Sequence, residues 1–333
     1  MSHPARHEET SPLVFCLSRE RAALAQHNVA LDLLERNLLS LARDFLARPG
    51  KAFRARLIDA CFVLAGGAPG KVPRASLEAI ELLHGGSLII DDIQDQSLTR
   101  RGAPALHRSA GTPKAINTAN WLYFVALSRL HELEIEPARG FNLLRAAHTC
   151  LIRCHEGQAL DIGVRVSEVK AAELASIAKT TSSLKTGALI GFAARLGAEV
   201  AHAPASDVAA LELFGERVGV ALQMLDDLGC FVAQERRAKA LEDLALERVN
   251  WVWCWARETL DEVTFRKLMR SLARQDEHAS LCERLAAASE ALGRERARAA
   301  IEEACALLRE SFAGRAALED VCQELARLER SYG

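Results

Sequence analysis

Two stretches of the chain, LEAIELLHGGSLIIDDIQD (77–95) and LFGERVGVALQMLDDLGCFV (213–232), are apolar around nearly the whole circumference of a helix, yet each carries adjacent aspartates. A helix without a polar face belongs inside a large bundle, and a carboxylate placed there needs something to neutralise it. Ala, Leu, Glu and Arg dominate the rest of the chain too. Segments such as LDLLERNLLSLARDFL and AAIEEACALLRESF show helical spacing, with none of the alternation a strand requires. Breakers are few: Arg48-Pro49-Gly50, Gly66 to Pro73, Gly102 to Pro113, Glu136 to Gly140 and Ala201 to Ser206. The expected fold is all-α: one domain over 11–333, built of roughly ten or more helices, behind a disordered stretch at 1–10.

Composition narrows the function classes. Half the residues are hydrophobic, which excludes a disordered chain, and the net charge of -2 removes the basic excess that nucleic-acid binding demands. No apolar run approaches the ~18 residues of a membrane span, and MSHPARHEET does not read as a secretory signal. The nine cysteines contain no C-x-x-C pair, so reduced thiols in a cytoplasm are expected.

Asp91 and Asp95 stand i,i+4 and so share a helix face, an arrangement that destabilises an isolated helix by roughly 0.2–0.5 kcal/mol. Asp226 offers the same chemistry from the second apolar helix. Glu81-Leu82-Leu83-His84 is a single Glu-x-x-His motif where a di-iron bundle needs two, and zinc motifs are absent. Magnesium takes oxygen ligands, keeps waters and is held by one or two carboxylates with substrate phosphates. Clustered aspartates therefore suggest a Mg²⁺-bridged diphosphate, although no P-loop is present. Basic residues lie nearby in sequence: Lys51, Arg54, His84, Arg100 and Arg101. Such a collection suits a substrate with polyanionic groups.

These motifs resemble those of the trans-isoprenyl diphosphate synthases. GKAFR is similar to the family's G-K-x-x-R, and IIDDIQDQSLTRRG to its first aspartate-rich motif with the trailing arginines. Gly157-Gln158-Ala-Leu-Asp161 resembles G-Q-x-x-D, Lys185-Thr186-Gly187 its K-T element, and Gln223-Met-Leu-Asp226-Asp227 the start of its second aspartate-rich motif. The resemblance implies an isoprenoid synthase-like helical bundle around a central cavity, acting as a homodimer without stable membrane insertion. The implied activity is condensation of isopentenyl diphosphate with an allylic diphosphate through a Mg²⁺-assisted carbocation.

By the same resemblance Asp91, Asp92, Asp95, Lys185 and Asp226 are expected to be catalytic. Asp91, Asp95 and Asp226 would hold up to three Mg²⁺ ions. Lys51, Arg54, His84 and Arg101 would bind isopentenyl diphosphate, and Arg100, Lys185, Thr186, Gln223 and Lys239 the allylic diphosphate. The small Gly86 and Ser87, one turn below the aspartates, with Leu83 beneath, would set product length. They favour C20, geranylgeranyl diphosphate, over C15 or longer products, with Trp121, Tyr123 or Phe124 as the floor.

Departures from the family pattern stand beside these matches. Cys230 replaces the last aspartate of the second motif, Arg248 a lysine, Asn250 a threonine, Ala55 a proline and Ala119-Asn120 a Gly-Asp. Two other readings stay open. One is a terpene cyclase on the same fold, which would have no use for Lys51, Arg54 and His84. The other is a non-catalytic regulatory subunit, which Cys230 and the spacing Cys150-Leu-Ile-Arg-Cys154 allow.

Overall fold

The structure, a computed structural model, describes residues 31–50 and 53–330. The expectations for residues 1–10 and for Lys51 lie outside them. The described residues fall into two compact units. The first holds those up to Arg56 together with Pro73–Glu134, and the second holds Leu57–Val72 and those from Ile135 onward.

The first unit opens with α1, made of Leu31–Leu34 and Ser40–Leu46 joined by a π turn, Glu35–Leu39. Helix α2, Phe53–Leu64, begins in this unit and ends in the second. Helix α3, Arg74–Gln94, follows Pro73 and carries the first aspartates at its C-terminal end. A two-stranded antiparallel hairpin, β1 Thr99–Arg100 and β2 Ala103–Pro104, comes next. The short α4, Leu106–Ala110, and α5, Thr112–His131, complete the unit. Ile80, Leu82, Leu83 and Ile89 of α3 are buried. Two glycines set how closely its neighbours pack. A Cβ on Gly85 would come 2.6 Å from Leu46 of α1, and one on Gly86 would come 2.9 Å from the Ala119 carbonyl oxygen of α5.

The second unit is longer. After the end of α2 and a glycine-rich turn, it contains α6, Pro137–Gly163, then α7, Leu174–Ser182, a π turn at Ser183–Gly187, and α8, Ala188–Val200. Helix α9, Ala205–Val232, carries the second aspartates and is followed by a 3₁₀ turn, Gln234–Arg236, and α10, Arg237–Ala245. Then come α11, Trp251–Thr259, α12, Glu262–Leu272, the long α13, His278–Ser311, and α14, Leu318–Arg330. Trp251 stacks on Trp255 with 6.0 Å between ring centroids, and Trp253 meets Phe265 edge-on at 6.2 Å. Ion pairs tie α6, α8 and α9 together: Arg153 to Glu216, Arg139 to Glu199 at 2.7 Å and Arg195 to Glu212 at 2.8 Å.

The expectation of a helical chain is met, with small differences. The second strand of the hairpin and α4 occupy the Gly102 to Pro113 breaker region, because a stretch rich in turn residues can still close a two-residue loop. The break before α11 has no Pro or Gly. It is made by Asn250, whose side chain accepts from the Trp253 amide at 3.4 Å as the helix cap. Asparagine and threonine are both good N-caps, so Asn250 in place of threonine leaves that helix start intact.

Helices α8 and α9 cross at glycines. A Cβ on Gly215 would lie 2.6 Å from the Ile190 carbonyl oxygen, and one on Gly219 would lie 2.6 Å from the Gly187 Cα and 2.9 Å from the Thr186 carbonyl oxygen. These contacts are backbone and cannot rotate away. Helix propensity alone would favour alanine by roughly 0.5–1 kcal/mol, whereas overpacking costs about 1–3 kcal/mol. Gly219→Ala is expected to lower the urea midpoint. An unchanged or raised midpoint would contradict the close crossing.

Candidate active site

In the first unit the site grows from the end of α3. The amide of Asp95 donates to the Asp91 carbonyl at 2.8 Å, so helical geometry persists to Asp95 and both carboxylates keep one face. Asp92 points the other way. It is fully buried, and one of its carboxylate oxygens accepts from both Nε, at 2.8 Å, and Nη2 of Arg100. Its second oxygen is buried without a hydrogen-bond partner. In this structure Asp92, expected among the catalytic residues, is the anchor of Arg100. Arg100 is in turn held by that anchor. Burial would weaken its charge, but the hydrogen bond and the attraction of Asp92, Asp91 and Asp95 outweigh burial and hold it protonated.

The hairpin turn is made by Arg101, with φ 53°, and Gly102, with φ 78°. Positive φ at both central residues is what a two-residue type I′ loop requires. Arginine rarely adopts this region, and strain of this kind gathers at functional sites. The turn projects Arg101 onto Gly50, where a Cβ would come 3.1 Å from the guanidinium carbon. The glycine of the GKAFR element thus leaves room for the arginine of the RRG element. Arg48, which the motifs did not flag, donates to the Arg100 carbonyl at 3.2 Å and lies 5.1 Å over the Phe45 ring. His84 keeps part of its surface, yet it is enclosed enough that burial, then Arg54, Arg101 and Arg100, hold its pKa well below the ordinary 6.5. The imidazole is neutral among cations.

The product-length residues are rearranged. Gly86 is not an opening, because Ala119 and the Tyr123 ring of α5 already fill the space a side chain would enter. Leu83 is buried. Ser87 is half-buried, and its hydroxyl donates to the His84 carbonyl at 2.8 Å. Phe124 is 70% exposed and is no floor for an apolar chain within this molecule.

In the second unit, Gly157 brings α6 against the π turn. A Cβ there would sit 2.5 Å from the Lys185 backbone nitrogen. Such π insertions recur at functional sites, and this one contains Lys185 and Thr186. Lys185 Nζ pairs with Asp161 at 2.7 Å, and Arg248 donates to the Asp161 carbonyl oxygen. Arg248 thus still serves the site's surroundings. From Thr186 a chain of hydrogen bonds runs inward. Its hydroxyl donates to Gln223 Oε1 at 2.7 Å, and Gln223 Nε2 donates to Asp227 at 2.8 Å. The Trp251 amide donates to the other Asp227 oxygen at 3.0 Å, and the Trp251 indole donates to Ser182 at 2.9 Å. Asp227 is buried, and that burial pushes its pKa up to about 8 against the two N–H bonds.

Thr186 and Gln223, expected at the allylic diphosphate, are bonded to each other here. Both ends of the Gln223 amide are engaged within the fold, so the pair positions the π turn and Asp227. Lys239 lies beside its own helix neighbours, Asp243 at 3.2 Å and Glu242 at 3.5 Å. Asp226 is half-exposed, but Arg236 Nη2 lies 2.7 Å from its Oδ1 and 3.0 Å from Cys230 Sγ. Among the described residues no three His, Cys, Asp or Glu side chains form a ready metal cage. The i,i+4 pair Asp91 and Asp95 fits Mg²⁺, which needs only one or two carboxylates beside phosphate. Asp226, half-exposed beside Arg236, is the carboxylate the second motif keeps outward, and a single carboxylate beside phosphate is within what Mg²⁺ takes. Sequence reasoning missed Arg236, ten residues from its partner and on no shared helix face.

The all-helical fold and these motif-bearing elements define the class of prenyl-chain synthases. Residues 35–288 match the family model described as Polyprenyl synthetase, and the chain belongs to that family, whose members are generally Mg²⁺-dependent. It is 34% identical over 215 residues to "Geranylgeranyl pyrophosphate synthase 2" of Zymoseptoria tritici, across 63% of this chain and 60% of that protein. A "Short chain isoprenyl diphosphate synthase" of Methanothermobacter thermautotrophicus is 32% identical over 253 residues, 74% of this chain and 75% of its own length. Among solved structures, the geranylgeranyl pyrophosphate synthetase of Pyrococcus horikoshii aligns with a TM-score of 0.72 at 24% identity over 96% of this chain and 98% of its own. The heptaprenyl diphosphate synthase of Staphylococcus aureus aligns at 0.76 and 16% identity over 98% and 99%. These two show the fold.

The neutral His84 has a consequence for pH. Its folded pKa lies below the unfolded 6.5, so on acidification the unfolded chain takes up a proton that the native chain refuses. Stability is therefore lost as pH falls below about 6.5. Between pH 7.5 and 5.5 the urea midpoint of the native chain is expected to drop further than that of His84→Asn. Equal drops would contradict an enclosed neutral imidazole.

Proposed function

We propose that the chain is a prenyl-elongating transferase that joins isopentenyl diphosphate to an allylic diphosphate. The observation that carries this reading is the Asp91–Asp95 face set directly before a hairpin that carries Arg100, anchored by Asp92, and Arg101 at its positive-φ turn. In this reading Asp91 and Asp95 hold Mg²⁺, which when bound neutralises the allylic diphosphate and favours its departure. Arg100, oriented by Asp92, donates to that diphosphate. Lys185, held by Asp161, adds a second fixed cation. Preorganised donors of this kind stabilise charge that develops on a leaving group. Lys51, Arg54, Arg101 and Arg48 take the diphosphate of isopentenyl diphosphate, and neutral His84 donates to it without adding charge. Apolar side chains exclude water from the allylic cation.

Relatives named geranylgeranyl pyrophosphate synthases support C20 as the product, with Ser87 as the length-setting residue. The working form is a homodimer. Phe141, Ile152 and Ile162 of α6, and Ile116 and Phe124 of α5, are exposed apolar side chains of the kind a second copy covers. No helix among the described residues is long and apolar enough to cross a membrane. The reading places the enzyme in the cytoplasm, in keeping with eight described cysteines that form no disulfide. Cys230 favours a second reading, a non-catalytic partner subunit.

The test is to incubate the purified chain with Mg²⁺, an allylic diphosphate and isopentenyl diphosphate, and to size the products. An elongated product from the chain alone is expected. Product only on addition of another protein would establish the subunit reading, and cyclised product without isopentenyl diphosphate would establish a cyclase. Asp91→Ala and Asp95→Ala are each expected to lower turnover by on the order of 10²-fold or more. Near-normal rates in both would contradict the role of this face. Ser87→Phe is expected to shorten the product by at least one isoprene unit, and unchanged length would remove Ser87 from that role.

A further inference from the structure

The turn between α10 and α11 is closed by a residue that does not favour its conformation. The Glu247 amide donates to the Leu244 carbonyl at 3.1 Å and the Arg248 amide to the Asp243 carbonyl at 2.9 Å, the pair of bonds that ends a helix on a left-handed residue. That residue is Glu247, with φ 55°. Glycine, or sometimes asparagine, usually takes this place because a Cβ is penalised there. A longer side chain persists in such a conformation only when its surroundings fix it. Here the surroundings are the segment that leaves α6. The Val166 amide donates to the Glu247 carbonyl at 2.9 Å, the Ser167 hydroxyl donates to the Glu247 carboxylate, and Arg165 and Arg248 form an antiparallel bridge. One residue beyond Glu247, the Arg248 guanidinium donates to the Asp161 carbonyl oxygen, and the Asp161 carboxylate holds Lys185. Glu247 therefore fastens the α10–α11 turn to the end of α6 beside the ion pair of Lys185.

We infer that Glu247 is a positioning residue for the allylic diphosphate, acting with Ser167 as a clasp that keeps Arg248 on Asp161 and so keeps Lys185 in place. The inference rests on the proposed transferase reading, in which Lys185 is a fixed cation for that diphosphate. Glycine at 247 would close the turn without strain, so what glutamate adds is its carboxylate, and in the fold that carboxylate meets Ser167. Its charge is not the contribution, since a further negative group repels a diphosphate rather than recruiting one. Glu247 acts through Arg248 and Asp161 and needs no contact with substrate. Glu247 is half-buried and Ser167 exposed, so either side chain can be changed without opening the core.

The experiment uses the full chain with Mg²⁺, farnesyl diphosphate and isopentenyl diphosphate, reading KM for each substrate beside the urea midpoint. Glu247→Gly is expected to raise the midpoint, because glycine takes a positive φ without strain. The same variant should raise KM for farnesyl diphosphate by roughly three- to tenfold, the scale of one hydrogen bond, and leave KM for isopentenyl diphosphate unchanged. A merely structural residue would move stability and activity in the same direction. Glu247→Gln keeps an acceptor for the hydroxyl and should stay near the native KM. Ser167→Ala should reproduce the Glu247→Gly rise in KM, and the double variant should show no further rise, as expected for two halves of one contact. Circular dichroism verifies that each variant is folded, and Ser167→Ala carries the test if Glu247→Gly is not. Three results would overturn the inference: a native KM for farnesyl diphosphate in both Glu247→Gly and Ser167→Ala, an equal rise in KM for both substrates, or a Glu247→Gln as impaired as Glu247→Gly. A native chain that makes no elongated product from these substrates would instead refute the transferase reading itself.

Discussion

In each aspartate pair one carboxylate is buried and bonded within the fold, and that bond lets the other face outward. Asp92 anchors Arg100, and Asp91 is left on the face shared with Asp95. Asp227 receives the Trp251 and Gln223 donors, and Asp226 is left half-exposed beside Arg236. Neighbouring residues on a helix diverge by about 100°, so adjacent aspartates cannot serve one ligand together. Their adjacency is useful because one can brace the fold at the very point where the other faces outward. A buried, unpaired carboxylate would be strongly unfavourable, so each bracing partner is fixed in position by the aspartate it satisfies.

The consequences spread through each unit separately. In the first, Asp92 holds the hairpin arginine, and the hairpin's positive-φ turn then sends Arg101 to the bare backbone of Gly50. In the second, Asp227 accepts the first amide of α11, a favourable place for a carboxyl group at a helix N-terminus. Through Gln223 it also steadies Thr186 in the π turn. The glycines at 157, 187 and 219 allow that turn to be approached from α6 and α9 without a gap, and Gly215 does the same where α9 meets α8. Removing a side chain is as much a part of the site's construction here as placing one.

Much of this was legible in the sequence. Helical periodicity and sparse breakers gave the fold class, and i,i+4 spacing correctly put Asp91 and Asp95 on one face. What could not be read depends on contacts between residues on different elements. Nothing in local pattern pairs Asp227 with an amide 24 residues away, or Arg236 with a carboxylate ten residues back across a helix end. Gly86 misled for a related reason. Small size suggests open space, but whether a glycine faces a cavity or a neighbouring helix is decided by that neighbour, here Ala119 and Tyr123. Asp92 and Gln223 matched motif positions, and the structure adds the partners they bond within the fold, Arg100 and Asp227.

In the proposed reaction the fixed cations and outward carboxylates serve a diphosphate that leaves an allylic carbon as the carbon ionises. The most direct test compares single-turnover transfer rates for an allylic diphosphate and its analogue bearing fluorine on the allylic double bond. Fluorine destabilises a cation at that position without altering the diphosphate. The account predicts a rate lower by at least about a hundredfold, a barrier increase of about 2.7 kcal/mol, with both compounds bound equally well. Equal rates would contradict it, since bond breaking would then build no positive charge for the site to accompany.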